Sequence, residues 1–132
     1  MAANPAFSTG TNALNVLNVS AANTNRDGTG TINTLVTGGA SGTLIERVHC
    51  HAAVTTSSAV VNFWLSSDSG TTWRLVGDVL VQAVTPSTSA APWQGDYIPP
   101  TGKIVLPGTT WRLGVTCTVA QSTNYTAIGG DL

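Results

Sequence analysis

Apolar and polar residues alternate along most of this chain with a period of two. From Val60 to Leu65, Val61, Phe63 and Leu65 share one face while Val60, Asn62 and Trp64 share the other, as side chains do on a β-strand. Ser66 to Thr72 is a polar stretch holding Gly70, and Trp73, Leu75, Val79 and Val81 continue beyond it, so residues 60–81 predict a hairpin. Before it, Thr43 to Val54 places Leu44, Glu46, Val48, Cys50, Ala52 and Val54 on one side and Ile45, Arg47, His49 and His51 on the other. After it, Trp111 to Val119 sets Leu113, Val115, Cys117 and Val119 against Arg112, Gly114, Thr116 and Thr118. Shorter strands are expected at Ile32 to Thr37, Trp93 to Ile98, Lys103 to Leu106 and Asn124 to Ile128. Pro107-Gly108-Thr109-Thr110 has the residue order of a tight turn, which predicts a second hairpin joining Lys103–Leu106 to Trp111–Val119. No segment keeps a helical period over a useful length. About eight short strands separated by turn residues define an all-β fold, and eight strands suit the two four-stranded sheets of a jelly-roll-like β-sandwich.

Residues 1–31 break the pattern. Asn, Thr, Ser, Ala and Gly dominate them, and only Phe7 and the run Leu14 to Val19 can pack. They are expected to form an extended N-terminal arm ending in an edge strand, ordered against a neighbouring subunit, with the sandwich domain at 32–132.

Composition adds a bias toward assembly. The 132 residues suit one domain with a modest core. Charged residues make up 8% of the chain, five basic and six acidic, about a third of the usual share. Thr, Ser and Asn must therefore solvate the surface, and little charge opposes self-association. Few lysines are present to blunt exposed strand edges. The basic residues form no stripe along which a phosphate backbone could lie, so nucleic acid is not an expected partner. No apolar run is long enough to span a bilayer and no charged-then-hydrophobic leader opens the chain, so neither membrane insertion nor secretion is expected. Cys50 and Cys117 lie in strand-like runs and are expected as free buried thiols.

The candidate chemistry is thin. Ser66-x-Asp68-x-Gly70-x-Thr72-Trp73 resembles an Asp-box, the hairpin signature repeated in sialidases and found in other β proteins. Its parts have a turn logic: Asp68 accepts backbone N–H bonds, Gly70 supplies a positive φ, and Trp73 covers the turn. In that resemblance the motif is architectural, and one copy in a chain of this size does not make a propeller. His49-x-His51 is the only metal-like spacing; a third ligand is not evident, and two partly exposed or interface histidines are expected. Asp68-Ser69-Gly70 matches the core of aspartic proteases in three common turn residues, and Gly39-Ala40-Ser41-Gly42 falls short of a nucleophile elbow. Asp68, Asp78 and Asp96 are dispersed. No catalytic residue, cofactor or metal site is expected. Trp64, Trp73, Trp93 and Trp111 leave sugar stacking open, with Trp93, in the loosest region, as the candidate exposed ligand contact.

Several stretches together carry a family resemblance: Arg47-Val48-His49-Cys50-His51-Ala52, Val61-Asn62-Phe63-Trp64-Leu65, Ala83-Val84-Thr85-Pro86-Ser87, Ile104-Val105-Leu106-Pro107-Gly108-Thr109-Thr110-Trp111-Arg112-Leu113 and Ala127-Ile128-Gly129-Gly130-Asp131-Leu132. They resemble small β-rich virion proteins of tailed bacteriophages, over residues 31–132 and not over the arm. The resemblance implies a non-enzymatic virion protein made in the host cytoplasm, with decoration or cementing of the capsid as the expected role. Its implied partners are the major capsid protein and copies of itself, with a homotrimer as the expected assembly. The face carrying Arg47, His49 and His51 is the candidate subunit contact. The alternative is a carbohydrate-binding or host-facing module of a tail or fibre.

Overall fold

A computed structural model describes residues 12–132, and among them the chain forms nine strands and no helix. These are β1 (Asn12–Val19), β2 (Asn33–Thr37), β3 (Thr43–Ala52), β4 (Ala59–Ser66), β5 (Arg74–Val81), β6 (Gln94–Tyr97), β7 (Ile104–Leu106), β8 (Arg112–Cys117) and β9 (Thr123–Asp131). They build two antiparallel sheets. The first runs β1-β9-β3-β6 with β7 also on β3, and the second runs β2-β8-β4-β5. The protein is an all-β sandwich. Between the sheets, Val48, Cys50, Ala52, Tyr125 and Ala127 meet Val61, Phe63, Leu113, Val115 and Cys117, all buried. Removing these apolar faces from water is what holds the layers together. The Phe63 ring stacks on Tyr97 of the opposite sheet at 4.4 Å between centroids.

The central hairpin is β4–β5, with its turn where the alternation placed it. Two other features differ from the sequence expectation. The first is the face assignment in β3. Thr43 and Ile45 are buried, and after them Val48, Cys50 and Ala52, so the inward row changes from odd to even positions. The cause is a register shift against β9 between Ile45 and Arg47: one extra residue, Glu46, inverts the alternation. Gly129 sits opposite Ile45, where the Leu44 carbonyl comes so close that a Cβ at that position would overlap it. Leu44 and Glu46 therefore leave the core face, whereas Arg47, His49 and His51 stay outside.

Second, Pro107-Gly108-Thr109-Thr110 does not close a hairpin. β7 pairs with β3 in the first sheet, while β8 lies between β2 and β4 in the second. Both edges of β8 are already occupied, so the turn carries the chain from one layer to the other. The ninth strand is β1, the edge strand expected at the end of the arm, and one edge of β3 is shared by two short strands. β6 pairs with Val48–His51 and β7 with Thr43–Ile45, interrupted by Pro99-Pro100, where proline removes a ladder donor.

Of the expected arm, residues 1–11 (Phe7 included) lie outside the described residues. β1 is an edge strand paired with β9, and Leu14, Leu17 and Val19 pack on the core. Asn15 closes the gap to the other sheet by donating from Nδ2 to the Leu35 carbonyl at 2.8 Å. The segment 20–31 folds back beside the second sheet. The Asn23 backbone N–H donates to the Cys117 carbonyl at 2.9 Å, and its side-chain amide donates to the carbonyls of Thr29 and Thr31. Over residues 12–31 the chain thus packs on its own sandwich.

Candidate functional site

The turn between β4 and β5 is a closed hydrogen-bond system. Ser66 Oγ donates to Asp68 Oδ1 at 2.8 Å and accepts from the Gly70 N–H at 2.9 Å, while the Thr72 N–H donates to Asp68 Oδ1 at 2.8 Å. Gly70 takes φ +86°, which the turn requires. The Thr72 N–H, helped by the Ser66 hydroxyl, holds the Asp68 carboxyl down at about 2. The Trp73 ring lies from Gly70 to the outer face of the second sheet: a Cβ on Gly70 would stand 3.4 Å from Trp73 Cζ2. Among the described residues, the side-chain bonds of Asp68 are made within the turn, to Ser66 and Thr72. A shallow depression beside it, lined by Asp68, Thr72, Arg74 and Trp111, faces solvent.

The outer face of the first sheet is different. Strand pairing lines up three rows across it: Ala13, Ile128 and Arg47; Val16, Thr126, His49 and Asp96; Asn18, Asn124, His51 and Gln94. Residues directly opposite each other on neighbouring strands share a face, so this surface is paved with amide, hydroxyl, imidazole, guanidinium and carboxylate groups. Asp96 is its electrostatic centre. Its Oδ1 lies 2.8 Å from His49 Nδ1 and 3.4 Å from Arg47 Nη1, with all three side chains between 31% and 46% exposed. At that exposure, solvent screens the ion pair and its worth is small. His51 Nδ1 lies 3.0 Å from the Ala52 carbonyl, and the two imidazole centroids are 5.9 Å apart.

The structure therefore brings Arg47, His49 and His51 together on one open face and adds Asp96, a carboxylate far from them in sequence. The available signal was the alternation Gln94-Gly95-Asp96-Tyr97 in a short strand, which sends Gln94 and Asp96 one way and Tyr97 the other. Trp93 is a correction: it is 6% exposed, not open to solvent. Its ring lies against Gly95 and its backbone carbonyl accepts from the Ala52 N–H, so the loose composition of the preceding loop gives way to a packed strand start. Trp64 and Trp73 are buried as well, as are Tyr97 and Tyr125. Trp111 is half-buried against the core.

The remaining reactive groups sit inside. Cys50 and Cys117 are free and buried. Burial, then the negative charge of Asp96, pushes the Cys50 thiol up to about 12, and a thiol that stays protonated is a poor nucleophile. Burial likewise raises the Tyr125 phenol. Among the described residues, no group of three or more His, Cys, Asp or Glu side chains is placed to hold a metal, and no helix is long and apolar enough to cross a membrane. No family model, no curated protein and no solved structure matches the chain.

Proposed function

We propose that this chain is a non-enzymatic structural protein of a tailed-bacteriophage virion: a decoration protein that binds the shell of the major capsid protein and associates with its own copies as a trimer. The observation that carries the reading is the outer face of the first sheet. It is broad, nearly neutral in sum and rich in hydrogen-bonding groups held at fixed cross-strand spacing, the kind of surface that makes polar, water-bridged contacts. The low charge of the whole chain works in the same direction, because little repulsion opposes docking. Chain order adds support. β1, β3, β6, β7 and β9 fall in one sheet and β2, β4, β5 and β8 in the other, which agrees with jelly-roll interleaving, a fold used for capsid domains. The resemblance over residues 31–132 supplies the virion and the partner.

The second reading, a carbohydrate-binding module of a tail or fibre, needs at least two exposed Trp or Tyr rings around a groove. Five of the six Trp and Tyr side chains are buried and Trp111 is half-buried, so the burial pattern favours the first reading. Negative-stain imaging of native particles with this protein labelled tests the proposal. Label distributed over the shell is the expected result. Label confined to the tail supports the second reading, and particles without label overturn both.

A further inference from the structure

The histidine pair has a property that its spacing alone does not carry. His51 Nδ1 faces the Ala52 carbonyl at 3.0 Å and His49 Nδ1 faces the Asp96 carboxylate at 2.8 Å. A carbonyl and an ionised carboxylate can only accept, so in each neutral ring the proton sits on Nδ1 and the lone pair on Nε2. Neither Nε2 has a hydrogen-bond partner among the described residues. Positions i and i+2 of a strand share a face, and both rings are half-exposed on the open side of the sheet. Donation of the second ring N–H to a carboxylate or a backbone carbonyl is how metal-bound histidines are oriented and made more basic. Two imidazoles on one tetrahedral ion, with metal–nitrogen bonds of about 2.1 Å, place their centroids roughly 5 Å apart. The observed separation is 5.9 Å with the ring planes tilted by 57°, so chelation requires the two rings to turn toward each other.

We propose that His49 and His51 form a two-imidazole chelate for a divalent transition-metal ion of the zinc and copper(II) class, through their Nε2 atoms. Water fills the remaining coordination positions, since the described residues offer no third side chain. Imidazole nitrogen selects this class over magnesium or calcium, and copper(II) binds such a site more tightly than zinc. Asp96 is a positioning residue: it holds the His49 tautomer and offsets part of the ion's charge. Arg47, also 3.4 Å from Asp96 Oδ1, opposes the ion and keeps the site weak. The buried thiols of Cys50 and Cys117 do not compete. This inference does not rest on the virion reading.

The test is calorimetric titration of the untagged full chain with zinc chloride and with copper sulfate, followed by electron paramagnetic resonance of the copper-loaded protein. One ion per chain, tighter for copper, with splitting from two nitrogens, is expected. His49→Ala and His51→Ala should each weaken binding at least tenfold by turning a chelate into a single ligand. Asp96→Ala should weaken it about tenfold with the two-nitrogen pattern intact, and Asp96→Asn, whose amide oxygen still accepts from Nδ1, should recover most of that loss. Folding of each variant is checked by its far-ultraviolet dichroism. Binding that survives intact in the doubly substituted H49A/H51A chain, or a copper signal with fewer than two nitrogens, overturns the proposal, as does the absence of measurable binding.

Discussion

The two outer faces of this sandwich are both lined with polar residues, yet they end in opposite states. On the second sheet, Asn62, Trp64 and Thr116 are essentially inaccessible, at 1%, 0% and 1% exposed. The chain itself roofs them: Ile32 and the Trp73 ring lie so near Gly114 that a Cβ there would stand 2.7 and 2.8 Å from them. Beneath that roof Trp64 Nε1 donates to Thr116 Oγ1 at 3.0 Å. On the first sheet, Arg47, His49, His51, Asn124 and Thr126 stay open or half-open, with no segment of residues 12–132 folded across them. The covered face contributes to stability. The uncovered one leaves Arg47 exposed and His49, His51, Asn124 and Thr126 half-exposed among the described residues.

If that contrast is correct, substitutions on the two faces should separate stability from association. The largest effect is expected at Trp64. Trp64→Ala leaves a cavity under the roof and a hydroxyl without its donor, and should cost about 3–5 kcal/mol in urea unfolding. A loss below about 1 kcal/mol would mean that the second face is not sealed. Asn62 sharpens the same point from the other side. Both polar atoms of its amide are buried without a partner, and an unpaired buried amide costs about 1–3 kcal/mol. Asn62→Leu should therefore raise stability by about 1 kcal/mol, and a lower unfolding midpoint would show that the amide is satisfied after all.

Asp68 belongs to neither face and gives a smaller, pH-dependent effect. Its folded value, about 2, is depressed below the ordinary 3.8, so its stabilising contribution is present above about pH 4 and fades as pH falls toward 2. Asp68→Asn should lower the melting temperature by a few degrees at neutral pH, with the gap to the parent chain closing between pH 4 and pH 2. A gap that stays constant over that interval would show that the charge of Asp68 is not what the Ser66 and Thr72 bonds use.

How much of this was legible in the sequence follows from what alternation encodes. The hairpin at 60–81 was readable because its turn residues and both strand faces agree. The inward row of β3 was not, since an added residue at Glu46 inverts the alternation and only pairing with β9 reveals it. Pro107–Thr110 has turn chemistry that serves a crossing between sheets as well as a hairpin, and the choice is made by β2 and β4 flanking β8. Trp93 looked exposed because the loop before it is polar. Gly95, two residues on, leaves room for its ring against the sheet, and no local pattern announces that. Nor does alternation say which polar face is covered, because the roof over the second sheet comes from residues distant in sequence.

Light scattering reads whether the open face carries assembly. The parent chain and Thr126→Lys, which places a charge in the middle row of the open face, are compared across micromolar concentrations. A surface change of this kind should alter stability by less than about 0.5 kcal/mol, so any loss of assembly can be assigned to the face. A trimer for the parent and a monomer with unchanged melting temperature for the variant are the expected results. A parent chain that stays monomeric at high concentration, or a variant that assembles equally well, would contradict assembly through this face.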